Sequence, residues 1–335
     1  KGARINYTDL YTTFPRDIEE STKDLGVFFC DLYACLTDMY SRNSKKDRVV
    51  FFTEHASKSA MEKATGPNPK MMDAVSRMYG DVGGTNIVTI SGDWGIYRDG
   101  SGYIGQNASK NFRMTIPELD SILDRFDNWF YPHLEEDVHE KIYPIPISID
   151  TSDWQKHVSK NIEELREIKK DHLCYANFSM TSRYRVALAT WISKQDYIDY
   201  LFPKRFEKID SHVKIDILSD TGLSLDEFAT VLSSYKFAIV PTGNGIDTHR
   251  LWECVLTNTV PVVQNTFCNR VFSKIWPMII VDRYELSNIK QKMCEFSEEH
   301  GDYIEYDHSL LLKSNFDTLL ERLKYESNRV RRERT

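Results

Sequence analysis

The stretch 235–263, YKFAIVPTGNGIDTHRLWECVLTNTVPVV, most constrains what this chain can fold into. Lys236 to Val240 is a short apolar run of strand character, and Pro241-Thr242-Gly243-Asn244-Gly245 follows it as a turn. Asp247 is placed to cap a helix that begins near Thr248 and carries His249, Arg250 and Glu253 in its first two turns. Thr259 to Val263 reads as the next strand. A strand, a glycine-rich turn and a helix N-terminus make an anion site, because backbone N–H groups and the helix dipole point at the ligand. Arg250 adds a fixed charge with bidentate geometry suited to phosphate. Glu253 is placed to accept hydrogen bonds from sugar hydroxyls. The unit asks for a ligand with both phosphate and sugar. The glycine spacing alone is equally a plain turn, with Asp247 a simple cap and Arg250 and Glu253 a solvated face. The buried-type strands on each side strengthen the ligand reading, since they place the turn at the carboxyl end of a strand, where ligands of open α/β sheets bind.

A chain of 335 residues exceeds what one hydrophobic core usually supports, so two domains are expected. The net charge of -7 argues against nucleic acid as a partner, for which a basic stripe is required. The one locally basic run, Arg329 to Arg334, reads as a solvated helix end. The six cysteines show no zinc spacing. Cys174 and Cys254, in apolar contexts, read as buried free thiols suited to a reducing compartment. No apolar run approaches the length of a membrane span. A soluble, cytoplasmic protein is expected, or a Golgi-lumenal one if an N-terminal anchor was removed. Asn6, Asn107 and Asn177 head glycosylation tripeptides, a pattern that arises often by chance.

Strand-like runs occur at Gly26 to Phe29, Val49 to Phe52 and Ile87 to Ile90, then at Leu173 to Phe178, Val213 to Leu218, Phe237 to Val240, Val260 to Val263 and Met278 to Val281. Asp153 to Lys170 reads as one amphipathic helix, with Trp154, Val158, Ile162, Leu165 and Ile168 at spacings of three and four. Ser224 to Glu227 is a capping box that opens another. Alternating strands and helices predict parallel sheets with right-handed crossovers. The Pro-rich Tyr143 to Asp150 marks a boundary near residue 150, and Phe316 to Lys324 reads as a last helix.

The run at 235–263 also resembles the C-terminal signature of exostosin-like glycosyltransferases, including bacterial and large-virus members. The matching residues are Lys236, Phe237, Pro241, Gly243, Gly245, Asp247, His249, Arg250, Trp252, Glu253 and Pro261-Val262-Val263. The resemblance is strong over about 173–285, weak over 85–150 and essentially absent over 1–80. It implies the GT-B arrangement, two Rossmann-like α/β domains facing across a cleft. Residues 1–150 would hold a glycan or glycoprotein acceptor, 151–315 the nucleotide-sugar donor, and 316–335 a helix returning to the first domain. The segment Thr53 to Met78 would be an acceptor loop. The family contains inverting transferases, so an α-linked donor such as a UDP-sugar would give a β product.

Such transfer has two electrostatic demands: a diphosphate leaving group gains charge, and an acceptor hydroxyl loses a proton. The first calls for a metal, or for Arg/Lys with a helix N-terminus. Asp216 and Asp220, or Asp120 and Asp127, are poorly spaced for a paired metal site, so no metal or other cofactor is expected. Arg250 is the first candidate cation. Asn177-Phe178-Ser179 resembles a family segment with a downstream arginine, and either Arg183 or Arg185 fits that position. The second demand calls for a general base. Asp93 follows a first-half strand, between Gly92 and Gly95 and beside Trp94, whose aromatic face suits a sugar. Glu54-His55 is its rival, also at a strand end; Asp282 matches a family position but looks structural. The catalytic candidates are Asp93, Arg250 and Arg185. The donor-binding candidates are Asn177, Ser179, Arg183, Thr242, Gly243, Asn244, Gly245, Asp247, His249 and Glu253. A retaining transferase, or a binding module that keeps the donor loop without a base, is the alternative.

Overall fold

The computed structural model describes residues 127–180, 182–200, 223–243, 245–301, 303–312 and 315–333, with Tyr7, Leu10, Leu123 and the strands 48–53, 85–90, 95–99, 102–106 and 111–114. The strand-like runs at 26–29 and 213–218, the carboxylates Glu54, Asp93, Asp120, Asp216 and Asp220, His55, Trp94, Asn244 and the segment from Glu54 to Met78 lie outside the described residues.

Two parallel sheets carry the fold, as the alternating pattern predicts. The first is built from β1 (Arg48–Thr53), β2 (Thr85–Ile90), β6 (Asn128–Tyr131) and β7 (Ile142–Pro144), in that spatial order. The second has the order β12-β11-β10-β8-β9, with β8 at His172–Ala176, β9 at Asp199–Tyr200, β10 at Tyr235–Val240, β11 at Val260–Gln264 and β12 at Ile279–Val281. A third, antiparallel sheet joins β3 (Gly95–Asp99), β4 (Gly102–Gln106) and β5 (Asn111–Met114). Asp99 is the register partner of Gly102 at the end of its first strand pair.

Eight described helices complete the chain: α1 (Thr151–His157), α2 (Ile162–Arg166), α3 (Arg183–Ile192), α4 (Leu225–Ser233), α5 (His249–Leu256), α6 (Phe267–Phe272), α7 (Ile289–His300) and α8 (Phe316–Arg332). The expected capping box of α4 is present, with Ser224 and Glu227 bonded reciprocally. The single helix expected over 153–170 is instead two. Asn161 Oδ1 accepts from Glu164 N, and the Glu164 carboxylate accepts from Asn161 N, so a new helix starts there. Ser159 is held away from helical geometry by Asp226 Oδ1, 2.7 Å from its N–H. The apolar spacing survives because both short helices bury the same side: Trp154, Ile162 and Leu165 are all in the core.

Central parallel strands are covered on both faces and read as apolar runs. In β10, Phe237 and Ile239 enter a cluster with Leu188, Ile192 and Met293, while Ala238 and Val240 enter one with Trp252, Phe267 and Leu320. The second cluster continues into Trp129, Phe130 and Tyr131 of the first sheet, so one core spans both sheets. The Pro-rich segment is part of it: Ile145, Ser148 and Ile149 are fully buried, and Ser148 adopts a left-handed φ of 60°.

The basic C-terminal run is not wholly solvated. The Arg331 side chain is only 14% exposed. Its guanidinium donates to Asp137 Oδ1 at 3.0 Å, Glu140 O at 2.7 Å, His139 O at 2.8 Å and Ile142 O at 2.7 Å. It also lies over the rings of Tyr143 and Phe267. A single planar cation thereby ties α8 to the β6–β7 connection.

Candidate functional site

The site forms where β10 ends at Val240 and the chain turns through 241–247 into α5. Both neighbouring strands pair with β10 in parallel, so this turn leaves from a carboxyl edge, where open α/β sheets bind ligands. The hydrogen bond from Gly243 N to Gly245 O, 3.0 Å, closes it.

Of the two candidate arginines on α3, the fold brings Arg185 to the turn and leaves Arg183 exposed. Ser182 caps α3 by accepting from Arg185 N, which fixes where the side chain departs. The Arg185 guanidinium donates to Thr242 O at 2.9 Å, Pro241 O at 3.2 Å and Ser179 O at 3.1 Å. It lies so close to Gly243 that a Cβ there would stand 3.0 Å from Nη2. Burial and the neighbouring Arg250 lower the Arg185 pKa to about 10, which leaves it charged at neutral pH.

Arg250, in the first turn of α5, sits 3.8 Å above the ring of Phe228. Its Nε is 3.1 Å from Glu253 Oε2, an ion pair not aligned as a hydrogen bond. Nε and Nη1 of Arg250 are buried without a hydrogen-bond acceptor among the described residues. Thr248 Oγ1, at the N-cap of α5, is likewise buried and unbonded there. Buried donors without acceptors are uncommon and costly, and they cluster here beside two cations.

One expectation changes. Asp247 does not cap α5; Thr248 is the N-cap residue. The Asp247 carboxylate turns inward and accepts from Ile147 N at 2.8 Å, Thr248 N at 2.8 Å and Trp252 Nε1 at 2.8 Å. Burial pushes its pKa up to about 7, opposed by those three donors. His249 is directed to the buried segment 145–149: its Nδ1 is 2.6 Å from Ser148 O. A carbonyl only accepts, so Nδ1 carries the proton in that contact. Glu253 is buried beside Arg250, not on a solvated face as the plain-turn alternative would have it.

The remaining candidates surround the turn less directly. Asn177 is buried and donates from Nδ2 to Tyr175 Oη at 3.0 Å, which excludes it as a glycosylation acceptor in the folded chain. Ser179 supplies acceptors to Arg185. Thr242 Oγ1 donates to Gln264 Oε1 at 2.9 Å. Asp282 accepts from Asn265 Nδ2 at an exposed position. Cys174, Cys254 and Cys268 are buried free thiols, and burial raises the Cys254 pKa to about 12, so it is inert as a nucleophile. Two neighbours of the site carry no signal in the sequence: Phe228 beneath Arg250, and His133, which reaches the turn from the first sheet. His133 Nδ1 accepts from Asp247 N at 3.1 Å.

No known family's sequence profile matches the chain, and no curated protein matches it in sequence. Distant likenesses exist among solved structures. An alpha1,3-fucosyltransferase is 11% identical, over 95% of this chain and 88% of that one, with a TM-score of 0.35. A trehalose-6-phosphate structure from E. coli bound with UDP-2-fluoro glucose is 9% identical, over 96% and 78%, at 0.39. The pneumococcal O-GlcNAc transferase GtfA, in complex with UDP and GlcNAc, is 10% identical, over 91% and 60%, at 0.36. Among the described residues no helix is long and apolar enough to cross a membrane.

Proposed function

We propose that the chain is a glycosyltransferase of the GT-B type, related to the exostosin-like enzymes, that moves a sugar from a nucleotide-sugar to a glycan hydroxyl. The observation that carries this reading is a pair of neighbouring cations at the carboxyl edge of β10: Arg185, packed against the turn at Gly243, and Arg250, in the first turn of α5 and close enough to lower the Arg185 pKa. Two guanidinium groups beside a helix N-terminus suit a diphosphate, whose negative charge grows as the sugar departs. Nε and Nη1 of Arg250 are buried without an acceptor among the described residues, and Arg250 is the cation that meets the leaving group. Arg185 already serves three carbonyl oxygens; it holds the turn and adds its charge. Residues 151–315 form the donor half, with a UDP-sugar as the donor, and 1–150 the acceptor half. Asp93, between the end of β2 and the start of β3, is the general base of an inverting transfer. The cations do the work that a divalent metal does elsewhere.

Calorimetric titration of the full chain with UDP, GDP and ADP tests the reading. Saturable binding of one nucleoside diphosphate supports it, and absence of binding by all three overturns it. Transfer that survives excess EDTA supports the role of the arginines; complete loss restored by Mn²⁺ or Mg²⁺ overturns it.

A further inference from the structure

We propose that His133 is a positioning residue for the donor turn, contributed by the first sheet; this rests on the donor-site reading above. His133 lies two residues beyond β6 and is 3% exposed. The backbone around it is fixed to the start of α6. Leu134 N donates to Cys268 Sγ at 3.1 Å, Cys268 N to Leu134 O at 3.1 Å, and Phe267 N to Glu135 O at 2.7 Å. The imidazole therefore projects from an anchored stretch of chain.

The ring meets the turn in two ways. Nδ1 accepts the N–H of Asp247 at 3.1 Å, so that nitrogen is unprotonated in this contact. The ring also lies flat against Gly245: a Cβ there would stand 2.4 Å from Cε1 and 2.8 Å from both ring nitrogens. Gly243 and Gly245 thus each admit a planar side chain of this chain, Arg185 at the first and His133 at the second. The turn is held between them. Asp247 extends the hold through its carboxylate, which accepts from Ile147 N in the buried segment and from Trp252 Nε1 on α5. A site that binds diphosphate through backbone N–H groups works only if those groups are aimed beforehand. The imidazole supplies that aim from the opposite sheet and touches no substrate atom in doing so.

Three variants separate the parts of this contact. His133→Asn places an acceptor near the Nδ1 position without the ring. His133→Phe keeps the ring and removes the acceptor, which strands the buried Asp247 N–H. His133→Ala removes both. The readouts are the affinity for UDP and GDP by calorimetry on the full chain, and circular dichroism for the fold. The Phe and Ala variants should bind nucleotide about tenfold more weakly, the scale of one stranded buried donor, and the Asn variant within about threefold of wild type. If the Ala variant does not fold, the Asn and Phe pair decides. Folded Phe and Ala variants that bind as wild type does overturn the inference alone, as does an Asn variant that loses as much as they do. No binding by the wild type overturns the donor-site reading, and this inference with it.

Discussion

Arg185 and Gly243 are fitted to one another across two elements: the guanidinium occupies the space that a side chain at 243 would fill, with Nη2 3.0 Å from the missing Cβ. The same guanidinium bonds the carbonyl oxygens of Pro241 and Thr242, so it cannot swing aside without breaking those contacts. Gly243→Ala should therefore destabilise the protein by about 1–3 kcal/mol, the usual range for an extra methyl forced against a fixed neighbour. Urea denaturation measures it. An unchanged midpoint and slope would show that Arg185 yields freely, and that the glycine is there for something else.

Arg250 stands on Phe228 and pairs with Glu253, so two partners fix a charge whose Nε and Nη1 have no hydrogen-bond acceptor among the described residues. Arg250→Ala should slow transfer by a barrier of roughly 2–4 kcal/mol, because its contact strengthens as the leaving group departs. Arg250→Lys should not rescue it: an ammonium has no planar face for Phe228 and no fork for phosphate. Steady-state kinetics with the fold verified by circular dichroism decide this, and near-normal turnover in the Ala variant removes Arg250 from the chemistry.

How much of this was legible in the sequence follows from where each contact is made. The strands of the second sheet announce themselves because strands such as β10 and β11 are buried on both faces and are apolar apart from Lys236 and the terminal Gln264. The break between α1 and α2 was also written there, as Asn161 with Glu164 three residues on, but regular apolar spacing across it masked the cap. Gly243 and Gly245 were visible as a turn. What they accommodate was not, since Arg185 and His133 come from distant parts of the chain. A glycine kept for a ligand and one kept for a neighbouring side chain look alike in one sequence. Asp247 reads as a helix cap in the sequence for a related reason: its partners Ile147 and Trp252 become available only when the segment 145–149 is folded against α5.

Arg331 tests how firmly the last helix is bound. Its guanidinium satisfies Asp137 and three backbone carbonyls while only 14% exposed. Arg331→Ala leaves Asp137 without that partner, and a loss of about 1–3 kcal/mol is expected, between the values for an exposed and a buried pair because this one is half-buried. Arg331→Lys should recover less than half of it, because a point charge cannot reproduce the fork. Guanidinium denaturation provides the comparison, and a Lys variant as stable as wild type would show that charge alone holds the helix.

The Asp247 carboxyl gives a pH dependence of known sign. Burial raises its folded-state pKa to about 7, above the ordinary carboxylate value near 3.9 that holds in the unfolded chain. The folded state therefore holds this proton more tightly. The stability this provides is fully present below about pH 4 and is lost as pH rises through about 7. Asp247→Asn removes the titration and leaves the other groups in place. The stability of the wild type relative to that variant should fall between about pH 4 and pH 7 and stay level above. Denaturation midpoints across that range measure it; a difference that is constant with pH would mean that the three donors outweigh burial and keep the carboxylate ionised throughout.

Asp93 carries the remaining half of the proposed chemistry, and its case rests on chain position: it follows β2, whose parallel pairing with β1 and β6 sets one carboxyl edge for all three strands. A base contacts the acceptor hydroxyl and not the nucleotide, so its loss should change turnover and leave donor affinity alone. Asp93→Asn keeps the shape and removes the basicity. Transfer should fall by at least about a hundredfold, the scale of a removed general base, with the nucleotide affinity nearly unchanged. Normal transfer by Asp93→Asn together with a dead Glu54→Gln variant would move the base to the Glu54-His55 segment. Activity in both variants would show that transfer is not base-assisted inversion, and a retaining mechanism, in which the leaving phosphate itself can take the acceptor proton, would replace it.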